Sequence, residues 1–125
     1  MLARLFARQR DADPDAEAVL RRHPVNLVFK HSPLCLVSAM ARDQVERFGN
    51  AAQSLPITVV DVIRQRALSE RIARHTGVRH ESPQVLLVSD GVVRWHASHG
   101  DITAIALSRA AAALTAPLVD GRGAS

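Results

Sequence analysis

The most informative segment of the chain is residues 25–35, which reads Val25-Asn26-Leu27-Val28-Phe29-Lys30-His31-Ser32-Pro33-Leu34-Cys35. Its first six residues are an apolar run that predicts a strand buried on both faces. The next four residues contain a proline and predict a turn. Apolar residues then recur at helical spacing from Leu34 to about Gln53. We therefore expect Cys35 to lie where a strand ends and a long helix begins.

Cys35 is the only cysteine among 125 residues. The unpaired N–H groups and the positive dipole end of a helix start favour a thiolate over a thiol. A chain with one cysteine cannot close a disulfide within itself, so redox chemistry here must pass through a mixed disulfide with another molecule. Lys30 and His31 are the nearest candidate cations. The alternatives are that Cys35 is an inert buried residue and that Lys30 is a solvated residue at a strand end.

The chain predicts eight elements in the order αβαβαββα. Helices are expected from Asp13 to Arg22 and over residues 34–53, 66–76 and 102–114, and strands over residues 25–30, 57–62, 84–89 and 92–96. Helices separate the first three strands, which favours parallel pairing, whereas Asp90-Gly91 predicts an antiparallel hairpin between the last two. Asp101 or Thr103 can cap the last helix. The fold class is therefore α/β, with a mixed four-stranded sheet flanked by helices.

The length suits one domain, which we expect over residues 13–116. Residues 1–12 are interpreted as a flexible or helix-extending N-terminus, and residues 117–125 as a mobile tail. No apolar run is long enough to span a bilayer, so no membrane partner is expected. A single cysteine is typical of a reducing cytoplasm.

The composition argues against two other classes of partner. The net charge is +4, but the arginines are spread along helices and the chain has no tyrosine, so nucleic-acid binding is not expected. His96 and His99 are two of six histidines, but zinc sites usually need three or four converging ligands, so no metal is expected. We expect these two imidazoles to form hydrogen bonds in the hairpin and the loop that follows.

Three segments together resemble the monothiol bacilliredoxin family, whose members have a thioredoxin-like fold. The first runs from Phe29-Lys30-His31-Ser32 through Cys35 to Ser38-Ala39-Met40-Ala41. The second is Thr76-Gly77-Val78-Arg79-His80-Glu81-Ser82-Pro83-Gln84, and the third comprises Asp90-Gly91, Trp95-His96-Ala97-Ser98-His99 and Ile102-Thr103. These segments cover most of residues 25–105 in the family's order.

The resemblance implies a small cytoplasmic oxidoreductase that removes bacillithiol, a low-molecular-weight thiol, from protein mixed disulfides. The resemblance also implies that Cys35 provides the attacking sulfur and that Pro83 is a cis proline opposite it. Bacillithiol would be a co-substrate, no cofactor would be tightly bound, and bacillithiolated client proteins would be the partners of a monomer or weak dimer.

Six residues are candidates for substrate binding: Lys30, His31, Arg79, His80, Ser82 and Pro83. Arg79 and His80 precede Pro83 and could contact an anionic thiol ligand. The backbone of Ser82 could pair with an extended substrate segment by strand addition, at an expected sheet edge.

The chain departs from the family at Leu36, because the family usually has proline directly after its cysteine. Without that proline the first helical turn keeps an extra N–H and loses some rigidity. Two alternative functions stay open. One is a glutaredoxin-like module that holds an iron–sulfur cluster with one Cys35 per chain and external thiols. The other, which the missing proline favours, is a redox-silent interaction domain.

Overall fold

A computed structural model of the protein describes residues 12–51 and 55–115. The predictions for the N-terminus and the tail lie outside these residues, apart from Ala12. The helices are α1 (Ala12–Leu20), α2 (Leu36–Ala51), α3 (Arg66–Thr76) and α4 (Ala104–Thr115), and the strands are β1 (Val25–His31), β2 (Ile57–Asp61), β3 (Gln84–Ser89) and β4 (Val92–Ser98). A short 3₁₀ turn, His99–Asp101, joins β4 to α4. The predicted order αβαβαββα is confirmed.

The four strands form one sheet in the order β2-β1-β3-β4. β1 is parallel to β2, as expected, and β3 and β4 are antiparallel. The expected parallel pairing of β3 with β1 is wrong, because β3 runs antiparallel to β1 with Gln84 opposite Lys30. The physical reason is the connection of residues 77–83, which brings the chain to the carboxyl end of β1 before β3 begins. The start of β3 and the end of β1 therefore lie at the same end of the sheet.

Two apolar cores lie on the two faces of the sheet, because alternate side chains of a strand point to opposite faces. Leu27 and Phe29 of β1 pack with buried side chains of α2 and α4 on one face. Val28 packs with buried side chains of α1 and α3 on the other. Both faces of β1 are covered, so its residues 26–30 are all buried, and the turn that follows leaves from a buried strand.

Local signals fix the ends of several elements. Gly77 ends α3 in the left-handed conformation, with φ of 77°, and its N–H donates to the Ala73 carbonyl. Asp90 and Gly91 both have positive φ, 52° and 80°, as a two-residue type I′ hairpin requires. Of the two predicted caps of α4, Thr103 is the one used, because its Oγ1 accepts the Ala106 N–H at 3.1 Å. Asp101 lies in the preceding 3₁₀ turn.

Candidate active site around Cys35

Cys35 occupies the N-cap position of α2. Its N–H donates to the Ser32 carbonyl at 3.2 Å, which closes the turn after β1. Its own carbonyl accepts the Ala39 N–H at 3.0 Å, which is the first hydrogen bond of the helix. The thiol is free and half-buried. The residue thus lies at the helix start, beside N–H groups that have no partner within the helix.

Ser38, in the first turn of α2, links this helix to the end of β1. Its side chain is fully buried. Its Oγ accepts the Ser32 N–H at 2.9 Å and lies 2.8 Å from Nδ1 of His31. Sequence reasoning assigned no role to Ser38 itself. The available signal was its spacing, three residues after Cys35, where a Cys-x-x-Cys motif has its second sulfur.

His31 is the last residue of β1 and lies close to the turn that carries Cys35. Burial lowers the pKa of its imidazole, and the positive charge of Arg42 adds to this effect, while the carboxylate of Asp61 opposes it. Its ring also lies against Phe29, with centroids 5.3 Å apart. A neutral imidazole is therefore favoured over a wider pH range than for an exposed histidine.

The Ser82–Pro83 peptide bond is cis, and Pro83 is buried directly before β3. Because Gln84 pairs with Lys30, Pro83 lies at the carboxyl end of β1, the end from which the Cys35 turn leaves. The Pro83 carbonyl accepts the His99 N–H at 3.0 Å, so the end of β4 supports this loop. β3 is a central strand rather than the expected sheet edge.

Ser82 has a buried Oγ without a hydrogen-bond partner among the described residues. Its backbone also takes no part in the hydrogen bonds formed within residues 12–51 and 55–115. In the described part of the chain, the backbone of Ser82 thus stays unpaired beside Pro83.

Lys30 is buried instead of solvated, so the interpretation as an exposed strand-end residue is wrong. Its side chain is 0% exposed, and Nζ donates to the Ser69 carbonyl at 3.0 Å and to Nδ1 of His80 at 3.2 Å. Burial lowers the pKa of Lys30 from 10.5 to about 8. The ammonium is thus committed to α3 and to the loop before Pro83, on the face of the sheet opposite Phe29 and His31.

Arg79 and His80 lie in that same loop and are exposed. The Arg79 carbonyl accepts the side-chain amide of Gln84 at 2.9 Å, and His80 receives the hydrogen bond from Lys30. The buried part of the imidazole has the largest effect and lowers the pKa of His80, and the nearby charge of Lys30 lowers it further. The two side chains therefore lie on the loop that leads to Pro83, as the sequence predicted.

The residues that flank Cys35 in the sequence include several exposed apolar side chains. Helical spacing placed Leu36, Val37 and Met40 on the inner face of α2, but they are 77%, 45% and 64% exposed. Only the later members of the pattern, Ala41, Val45 and Phe48, are buried. Together with Leu34, the three exposed residues form what we call the apolar surface. The inner face of α2 thus begins at Ser38 and Ala41, one turn later than the pattern suggests.

The described residues contain no group of three or more potential metal ligands from histidine, cysteine, aspartate and glutamate. His96 is exposed on β4, and His99 begins the 3₁₀ turn with Nδ1 3.5 Å from the Glu81 carboxylate. In the part of the chain described, no helix has the length and apolar character needed to cross a bilayer.

The geometry defines a class: a thioredoxin-fold protein with one cysteine at the start of its long helix and a proline loop at the same end of the sheet. Comparison with known families matches residues 11–107 to monothiol bacilliredoxin BrxC. The chain belongs to the monothiol bacilliredoxin family, as its three sequence segments predicted. Family membership supports a monothiol redox function.

Solved structures agree with this fold. A putative oxidoreductase with a thioredoxin fold is 36% identical, with a TM-score of 0.70, covering 76% of this chain and 84% of its own. Desulfothioredoxin from Desulfovibrio vulgaris Hildenborough is 21% identical with a TM-score of 0.60, and the match covers 78% of this chain and 88% of that one. A point mutant of thioredoxin from Halobacterium salinarum NRC-1 is 23% identical with a TM-score of 0.60, and the match covers 77% of this chain and 79% of that one. The last two show the fold alone.

Proposed function

We propose that the protein is a thiol–disulfide oxidoreductase that removes bacillithiol from protein mixed disulfides through the thiolate of Cys35. The observation that carries this proposal is the position of Cys35 at the N-cap of α2, at the same end of the sheet as Pro83. A helix start stabilises the negative charge of a sulfur nucleophile. The match to monothiol bacilliredoxins supports bacillithiol as the substrate class.

The reaction is a thiol–disulfide exchange in two steps. The Cys35 thiolate attacks the bacillithiol sulfur of the mixed disulfide, a new S–S bond forms, and the client leaves as its thiolate. A second thiolate, from free bacillithiol or a partner's cysteine, then attacks the bacillithiol sulfur of the adduct, forms a disulfide with it and releases Cys35 as its thiolate. That second thiol must come from another molecule, because Cys35 is the only cysteine of the chain.

Client proteins form the second part of the proposal. A client cysteine that reaches Cys35 must pass beside its neighbours on the chain, and these make up the apolar surface. Leu34 and Leu36 are 87% and 77% exposed, which favours contact with apolar side chains of a client. The available backbone of Ser82 could pair with an extended client segment. Arg79 is exposed on the same loop and could contact an anionic part of the thiol.

The test uses the reduced protein and a purified client whose single cysteine carries bacillithiol. Intact-mass spectrometry should show the adduct moving from the client to Cys35, followed by its release when free bacillithiol is added. The Cys35→Ser variant is the matched control and should leave the client modified. If the wild-type protein leaves Cys35 unmodified and the client blocked, the proposal is wrong.

Two further measurements identify the alternatives if transfer fails. Visible absorption after anaerobic purification would indicate a cluster-binding module. An alkylation profile of Cys35 against pH that matches a free thiol would indicate a redox-silent domain.

A further inference from the structure

One hydroxyl connects the three parts of the chain that meet at the Cys35 turn. Ser38 Oγ belongs to α2, accepts a hydrogen bond from Ser32 in the turn, and lies 2.8 Å from His31 at the end of β1. The same Ser32 accepts the Cys35 N–H through its carbonyl. The backbone on both sides of the turn is thus held by a chain of hydrogen bonds that passes through Ser38.

Counting donors gives one arrangement in which the hydroxyl hydrogen of Ser38 is also used. A backbone N–H can only donate, so Ser38 Oγ accepts from Ser32. The single hydroxyl hydrogen of Ser38 is then available for Nδ1 of His31, which accepts it with its lone pair. This arrangement requires a neutral imidazole whose proton is on Nε2.

We propose that Ser38 and His31 form a positioning pair, which holds the Ser32–Cys35 turn and thereby the reacting sulfur. Because the pair acts on the sulfur through the turn, both are positioning residues in this role. The inference rests on the proposed function, because exchange at Cys35 is the step that the pair serves. Ser38 thus has a role of its own at the site where a dithiol protein would have its second sulfur.

Protonation of His31 should reverse the hydrogen bond of the pair. Nδ1 would then donate to the second lone pair of Ser38 Oγ, and the hydroxyl hydrogen would lose its acceptor. The charges of Arg42 in α2 and Asp61 at the end of β2 act on His31, and Glu46 lines a groove together with His31 and Arg42. The lowered pKa of His31 keeps its imidazole neutral below the usual range of a histidine.

The test compares Ser38→Thr with Ser38→Val, which have the same shape and differ by the hydroxyl. The probe is 4,4′-dithiodipyridine, a small disulfide that needs no client surface. At neutral pH the threonine variant should react with the probe about 10- to 100-fold faster than the valine variant. Both variants are measured at the same neutral pH, so that they differ only in the side chain of residue 38.

NMR of the imidazole nitrogens supplies the readout that a merely structural role would not change. In the wild-type protein and in Ser38→Thr, His31 should show one neutral tautomer with an unprotonated Nδ1, and in Ser38→Val a mixture. Exposed His75 is the internal control and should be the same in all variants. Equal rates for the two variants, or one unchanged His31 tautomer in both, would overturn the inference.

The outcomes separate this inference from the proposed function. If Ser38→Val fails to fold, the wild-type spectrum decides, since a protonated Nδ1 on neutral His31 contradicts the pair. If bacillithiol transfer occurs but the two variants react alike, the function stands and the positioning pair is wrong. If transfer fails while the variants differ as expected, the pair stands and the substrate assignment is wrong.

Discussion

Lys30 is the only lysine of the chain, and replacing it by methionine should change how stability depends on pH. Its side chain is fully buried, with Nζ bonded to the Ser69 carbonyl and to His80. Burial lowers the pKa of Lys30 from 10.5 to about 8. Between these two values the unfolded chain holds a proton that the folded chain has released. The free energy of unfolding therefore rises with pH between these values. Below about pH 8 the folded state bears the full cost of burying a charged ammonium.

The size of the effect follows from the same two values. At about 1.4 kcal/mol per pH unit, the free energy of unfolding should rise by about 3 kcal/mol between pH 8 and 10.5. In Lys30→Met the rise should be absent. At pH 7 this variant should be at least as stable as its parent, because methionine fills a similar volume without a charge to desolvate.

The assay is urea denaturation at several pH values, followed by the fluorescence of Trp95, the only tryptophan. Cysteine and tyrosine are the other side chains that titrate in this window. The chain has no tyrosine, so both proteins are compared in a Cys35→Ser background. A Lys30→Met variant whose stability rises with pH as steeply as that of its parent would refute the reasoning.

Three further predictions concern the apolar surface, a backbone angle and a helix cap. Met40→Glu places a charge on the apolar surface and should lower the rate of transfer from a bacillithiolated client about tenfold. Its rate with 4,4′-dithiodipyridine should not change. Val92→Glu, at the opposite end of the sheet, is the control and should alter neither rate. Gly77→Ala should cost about 1 kcal/mol in urea denaturation because its φ is positive, while Gly100→Ala, which meets no atom within 4 Å and has no such φ, should cost less than about 0.5 kcal/mol. Thr103→Ala should also cost about 1 kcal/mol through loss of the α4 cap; a loss below about 0.3 kcal/mol would contradict that role.

Elements with local signals could be predicted from the sequence, and relations between distant elements could not. Asp90-Gly91 and Gly77 need particular backbone angles, so the residues themselves mark the hairpin and the end of α3. The direction of β3 depends instead on the path of residues 77–83, which no local pattern specifies. The expectation of parallel strands was therefore wrong for one pair, although the elements and their order were correct.

The same distinction applies to the candidate site. The position of Cys35 followed from a strand, a proline turn and a helix in sequence. Helical spacing identified the apolar residues of α2, but it could not show that Leu36 and Met40 are exposed while Ser38 and Ala41 are buried. For Lys30 the signal was present, because a strand that is apolar on both faces leaves no solvated side for a lysine.

The departure from the family at Leu36 has a physical counterpart in the hydrogen bonds of the turn. A proline at that position would fix one backbone angle and remove one N–H from the first turn of α2. Here the Cys35 N–H binds the Ser32 carbonyl, and the Ser32 N–H binds the buried Ser38 hydroxyl. These bonds restrain the backbone before the cysteine, whereas a proline would act after it. The missing proline is therefore a weak argument for a redox-silent domain, because the turn is already held from the other side and the extra N–H at the helix start is one more donor for a thiolate.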